Sequence, residues 1–179
     1  MYKGYYFNPF ERDEEPYFEN QKYNMPDLPI KEKRTKCDVA PFTDALKSFF
    51  EEHCKYRVNI SKIGLDYGYI LVSLPHFGYV IGHLLKDLEP LEVPHLNVEI
   101  GDYYTITITF NFELPIPRNM VDIAIAAEYS GFEMTMEDEK LIFRARVCTH
   151  TTYSLYRPVY STIKSDLYHS ILRIWKRKE

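Results

Sequence analysis

The chain has 179 residues, is 45% hydrophobic and carries a formal net charge of −4 with histidine neutral. A domain of this length buries about 70% of its unfolded surface, so it needs neither metal nor disulfide to fold. The acidic balance speaks against a non-specific nucleic-acid binder, and no apolar run is long enough for a membrane helix.

Residues 1–37 read as an N-terminal arm. "MYKGYYFNPFERDEEPYF" has no apolar core flanked by positive charge, so no secretory signal is expected. Eight aromatics fall in the first 23 residues: Tyr2, Tyr5, Tyr6, Phe7, Phe10, Tyr17, Phe18 and Tyr23. A solvated tail is normally poor in aromatics. The arm is therefore expected to lie against its own domain or another chain. No helical or strand period holds, and the basic run "KEKRTK", residues 31–36, reads as a solvated linker.

The pattern then becomes regular. Val39, Phe42, Ala45, Leu46, Phe49 and Phe50 predict a helix over 39–54, capped by Asp38 with Pro41 in its first turn. "YRVNISKIG" and "YGYILVSLP" read as two strands of a hairpin around residues 66–68. "PHFGYVIGHLLKDLEPL" is a second helix, with Pro75 at its start, Phe77, Val80, Ile81, Leu84, Leu85 and Leu88 on its apolar face, and Pro90 as its stop. "HLNVEIG" and "YYTITITFNFELP" form a strand pair around Gly101 and Asp102. "RNMVDIAIAAEYSG" is a third helix, with Asn119 as N-cap and Gly131 as its stop. "FEMTME" and "LIFRARVCT" pair around "DEK". Val159, Ile163, Leu167, Ile171 and Ile174 mark a last helix with a basic end.

Helices thus alternate with strand pairs. The expected fold is α+β: a two-layer sandwich with a mixed, mostly antiparallel sheet and helices on one face. The expected division is the arm (1–37), a domain (38–150) and a C-terminal helix packed on or extending it (151–179).

The region from about 38 to 148 resembles the ATP-binding domain of sensor histidine kinases, the GHKL or Bergerat fold. "ILVSLPHFGYVIGHLLKDL" looks like that family's strand and N-box helix. "LNVEIGDYYTITITFNF" resembles the next strand pair, and "MVDIAIAAEYSGFEMTMEDEKLIFRARV" the last helix, glycine and closing hairpin. The resemblance implies a nucleotide site holding ATP and Mg²⁺, and the residues expected to line it depart from the family throughout. His83 and Asp87 stand where the N-box has its two asparagines, of which the second helps hold Mg²⁺. Asp87 is a hard oxygen donor of the kind Mg²⁺ takes. The first glycine box should follow Phe112, but "FNFELPIPRN" contains no glycine. Glu113 is an acid near the place of that box's aspartate. The second box should open the third helix, where backbone amides meet phosphates. "RNMVD" has no glycine either, and only about six residues stand where the family carries an ATP lid. His83, Asp87 and Glu113 therefore read as a vestigial nucleotide site. The plainer reading of His83 and Asp87 is an i, i+4 hydrogen-bonding pair on a helix edge, and it is favoured here. Nothing before residue 38 resembles the kinase dimerisation helices.

Other constellations are weaker. His76 and His83 share a helix face with Asp87, but a spacing of seven is too long for two ligands of one ion. Cys37, Cys54 and Cys148 are widely spaced with no CxxC, which fits reduced thiols and a cytoplasmic location. Cys54 follows His53 directly, and adjacent helical residues point apart. Cys148 and His150 share one face of a strand but have no third group beside them. "RIWKRKE" sets Trp175 among Arg173, Lys176, Arg177 and Lys178, which is too little for nucleic-acid recognition. The acids of "ERDEEPY", residues 11–17, are a candidate partner for that basic end.

The expectation is a non-catalytic interaction or regulatory protein on a degenerate histidine kinase ATPase-like scaffold. It needs no cofactor and contacts a protein partner, or itself, through the arm. The alternative is a divergent ATP- or nucleotide-binding protein, an ATPase or kinase with a remodelled site that takes ATP and Mg²⁺.

Overall fold

The computed structural model describes residues 34–54, 57–62, 68–88, 95–101, 105–111, 120–137, 140–148 and 157–176. Within them the order is β1 (Thr35–Asp38), α1 (Val39–His53), β2 (Arg57–Lys62), β3 (Tyr69–Val72), α2 (Leu74–Leu88), β4 (His95–Gly101), β5 (Thr105–Asn111), α3 (Met120–Ser130), β6 (Glu133–Glu137), β7 (Lys140–Arg146) and α4 (Tyr160–Trp175).

Five strands form one sheet in the order β2-β4-β5-β7-β6. β2 runs parallel to β4, from Arg57↔His95 to Lys62↔Ile100. The other pairs are antiparallel: β4–β5 and β6–β7 are each joined by a short connection, whereas β5 meets β7 with α3 and β6 between them in sequence. β5 shows why one face is dry. Ile106, Ile108 and Phe110 are buried, while Thr105, Thr107 and Thr109 alternate with them and are half-buried. Leu141, Phe143 and Ala145 of β7 join the same core. The helices cover that face, giving the expected two-layer α+β sandwich with a mixed, mostly antiparallel sheet.

Three expectations change. The strands in "YRVNISKIG" and "YGYILVSLP" are not a hairpin. β2 joins the main sheet beside β4, while β3 pairs antiparallel with β1, from Thr35↔Val72 to Asp38↔Tyr69. Period two reveals which face of a strand is buried, not which neighbour it takes. β2 and β4 are parallel, so a crossover must join them, and α2 lies in it. Second, the basic run is not all linker: Thr35 and Lys36 belong to β1, so the ordered fold extends into the predicted arm. The rest of the arm, residues 1–33, lies outside the described residues. Third, Asp38 precedes α1 in extended conformation but makes no side-chain cap bond. Its carboxylate instead accepts a hydrogen bond from Arg157 at 2.5 Å.

The predicted stop of α3 holds. Gly131 has φ +112°, a left-handed conformation that favours glycine. Its N–H donates to Glu128 O, and Phe132 N–H donates to Ala127 O, which satisfies two orphan carbonyls of the last turn. Asn119 lies outside the described residues.

α4 uses the predicted stripe from Ile163 onward, and Ile163, Leu167, Ile171 and Ile174 are buried. Val159 is not part of it; it is 64% exposed just before the helix. α4 packs on α1 and, most extensively, on α2. The approach to α2 is very close. A Cβ on Gly78 would lie 2.3 Å from Ser170 Cβ and 2.8 Å from the Ser170 carbonyl carbon. One on Gly82 would lie 2.6 Å from Ile174 Cβ and 2.9 Å from Ile171 O. Backbone atoms cannot swing aside, so α4 itself would have to move. Glycine within a helix costs about 1 kcal/mol relative to alanine, whereas overpacking costs about 1–3 kcal/mol. The clash wins for any branched side chain. Gly82→Val is expected to lower the unfolding free energy by about 3 kcal/mol in urea titration. Asp44→Ala, at an exposed position of α1, should change it by no more than about 0.5 kcal/mol.

Candidate functional site

The predicted site begins on α2. His76, Tyr79, His83 and Asp87 recur at three- and four-residue steps and share one helix face. Its upper end is tied to α3. Ser73 N–H donates to Ser130 O at 2.9 Å. Ser73 Oγ lies 2.7 Å from His76 Nδ1, and both side chains are buried. The His76 ring is fully buried and meets Tyr129 of α3 edge-on, with centroids 5.6 Å apart. One turn on, the half-buried His83 ring lies 4.4 Å from buried Tyr79. Two ring contacts thus lie along this stripe, His76 with Tyr129 of α3 and His83 with Tyr79.

His83 thus makes a ring contact with Tyr79, and its predicted pairing with Asp87 falls outside the described residues. Asp87 is on α2 one turn beyond it, its side chain outside the described residues. Glu113 lies outside them altogether, so the described structure does not bring the three together. β5 ends at Asn111 and α3 begins at Met120, so eight residues join them. None of the chain's 7 glycines lies between Gly101 and Gly131.

One described residue of the expected site departs from the oxygen donors that Mg²⁺ takes. At the place expected for the first N-box asparagine stands the His83 imidazole, which is not the oxygen donor Mg²⁺ prefers, and its ring lies tilted against Tyr79. Among the described residues no three His, Cys, Asp or Glu side chains gather as a metal site. The seven-residue spacing of His76 and His83 gives two separate ring contacts.

His53 is exposed and stacks on Phe49 at 4.9 Å, while Cys54 is half-buried. Cys148 makes an isolated bridge to Tyr69, and His150 lies outside the described residues. Lys176 covers Trp175, its Nζ 3.9 Å from the ring centroid. Arg177 and Lys178, like the acidic run 11–17, lie outside the described residues. No described helix is long and apolar enough to cross a membrane.

Two features escaped the sequence reading. Arg157 donates to Asp38 and stacks over Tyr69, 4.3 Å from the ring centroid, joining the start of α4 to β1 and β3. Arg34 donates from Nε to Tyr129 O at 3.2 Å and from Nη2 to Glu128 O at 2.5 Å. A cation there satisfies the last carbonyls of α3 and opposes the negative end of its dipole. No local signal marks either contact, because the partners are 119 and about 95 residues apart.

Cys37 and Cys54 are held in the thiol form. Burial pushes Cys37 up to about 12, helped by Asp38 and Asp166. Burial also pushes Cys54 up to about 12, against the opposing pull of Lys176. Only the thiolate reacts, and a raised pKa makes it scarce at pH 8. Iodoacetamide should therefore label both at least about a hundredfold more slowly in the native chain than in urea, with the rate still rising between pH 8 and 10. Rapid native labelling of either at pH 8, read by peptide mass spectrometry, would contradict this.

No protein-family model matches the chain, and no curated protein does. Its fold is similar to solved structures of histidine kinases. The catalytic domain of the histidine kinase ThkA matches with a TM-score of 0.44 and 10% identity, over 64% of this chain and 97% of that one. The cytoplasmic segment of the histidine kinase QseC matches at 0.44 and 7%, over 81% and 97%. The Acinetobacter baumannii histidine kinase AdeS matches at 0.42 and 10%, over 74% and 72%. The likeness is one of fold alone and says nothing of activity or ligand.

Proposed function

We propose that this chain is a non-catalytic interaction or regulatory protein built on a histidine kinase ATPase-like scaffold. The observation that carries the reading is the glycine-free connection of eight residues between β5 and α3. Phosphate binding at a helix start needs backbone N–H groups brought close to the ligand, and glycine is what permits that approach. "FELPIPRN" offers side chains and two prolines instead, and proline has no N–H to give. The ring contact of His83 with Tyr79 supports the same conclusion. A fold does not confer an activity whose residues are missing.

In this reading the N-terminal arm supplies the contact, with a protein partner or with a second copy. Its aromatics are costly to leave in water, since burying one large side chain is worth roughly 1.5–3 kcal/mol. Tyrosine suits a surface with one dry and one wet end. The arm is also tied at its root, because β1 pairs with β3 and Arg34 holds the end of α3.

Calorimetry with Mg-ATP tests the proposal. No saturable binding is expected. A ligand at about 100 times its Kd adds about 2.7 kcal/mol to stability, so Tm should also stay unchanged in excess Mg-ATP. Micromolar affinity that Asp87→Ala abolishes would establish the alternative, a nucleotide-binding protein with a remodelled site.

A further inference from the structure

β1 stands at the end of the small β1-β3 sheet, with β3 as its neighbour on one side. The register runs from Thr35↔Val72 to Asp38↔Tyr69, and Val39 N–H continues it by donating to Gly68 O at 2.9 Å. Hydrogen-bonded and non-bonded pairs alternate along antiparallel strands. Thr35, Cys37 and Val39 therefore bond to β3, while the backbone N–H and C=O of Lys36 and Asp38 turn away from it. The far side of β3 agrees, because Tyr69 exchanges both its bonds with Cys148, at 2.9 and 2.8 Å. Among the described residues the outward N–H and C=O of Lys36 meet no backbone partner. Asp38 keeps the extended conformation, and its side chain is 42% exposed.

Edge strands are normally blunted by charge, and β6 shows how. Antiparallel pairing of β6 with its own copy about Thr135 would set exposed Glu133 against exposed Glu137, and like charges directly opposite are destabilising. β1 has the reverse pattern, a cation and an anion on either side of Cys37. We propose that the β1 edges of two copies pair antiparallel about Cys37, so that two β1-β3 sheets become one. Each Lys36 then lies opposite the partner's Asp38, in a pair that also exchanges backbone bonds. A carboxylate takes several donors, so the bond from Arg157 leaves room for an ammonium. Lys36 can supply it, since its Nζ otherwise lies only over the Tyr69 ring, 5.4 Å from the centroid. The strand is four residues long, which makes the dimer reversible rather than obligate. The inference deepens the interaction reading by naming the partner as a second copy and placing the contact on described residues, without use of the arm's aromatics.

Analytical ultracentrifugation of the full chain between roughly 1 µM and 1 mM tests this. A monomer–dimer equilibrium is expected, weaker at high salt because exposed ion pairs are screened. K36E should raise the dimer Kd at least about tenfold, since one substitution sets an acid against Asp38 in both symmetric pairs. K36P should do the same by removing the outward N–H, the one position where an edge strand tolerates proline. Both variants should keep the circular dichroism of the wild type. Hydrogen exchange at the Lys36 amide reads the edge directly: it should be slow in the dimer and fast on dilution. A wild type that stays monomeric throughout would overturn the proposal. So would a dimer that ignores both substitutions and leaves the Lys36 amide unprotected, which would place self-association elsewhere. Neither result bears on Mg-ATP binding, so the dimer and the non-catalytic reading fail separately.

Discussion

The helical layer is organised by the contact of α2 with α4 across Gly78 and Gly82. Two glycines four residues apart let the backbone of α4 approach α2 so closely that a Cβ at either position would clash with it. α2 is thereby enclosed. Phe77, Val80, Ile81 and Leu84 are fully buried, α4 closes the glycine side, and α3 meets the stripe of His76. A helix enclosed in this way cannot move without displacing its neighbours, because packed interiors are dense and transmit small shifts. α4 carries the constraint to α1, where Phe49 meets Tyr168 at 5.1 Å and Trp175 at 6.1 Å. The ion pair of Glu52 with Lys164, at 3.7 Å and exposed, adds little to that aromatic contact.

The two ends of the described chain are joined by a second, smaller contact. Arg157 stands at the entry to α4, and Asp38 closes β1. Their pair is only partly shielded, so its worth as an ion pair is modest. Stacking of the guanidinium over Tyr69 adds about 0.5–1 kcal/mol and fixes its plane. β3 contributes that tyrosine, and β3 is also where a Cβ on Gly131 would strike the Leu71 carbonyl at 2.3 Å. The short β1-β3 sheet is thus the junction of the arm, α3 and α4. Three features meet around the helical layer. They are a covered α2, a short glycine-free passage into α3 and an arm rooted beside the end of α3.

Much of the architecture was legible in sequence, for definite reasons. "TITITF" alternates so regularly that one face of β5 had to be dry, and Gly131 followed an apolar helix at the place where a left-handed stop belongs. Strand partners were not legible. Alternation in β2 and β3 is the same whether they pair with each other or with β4 and β1, and the choice depends on where α2 carries the chain. Gly78 and Gly82 were visible, and their four-residue spacing was the available signal, but a glycine's close contact depends on α4, some 90 residues on. The site was legible only as a pattern. His83 could be placed on a face with Tyr79 by spacing alone. That His76 is buried against Tyr129 required the tertiary structure, as did the exchange of Asp38's capping role for a bond to Arg157. Glu113 and the side chain of Asp87 remain sequence readings.

The proposed non-catalytic reading holds that α2 and the connection into α3 bind no nucleotide. Amide NMR of the full ¹⁵N-labelled chain, titrated with Mg-ADP into the millimolar range, addresses it residue by residue. The account predicts no saturable shift at Gly78, Gly82, His83 or Asp87, nor in residues 112–119. Saturable shifts clustered on α2 and on that connection would contradict it.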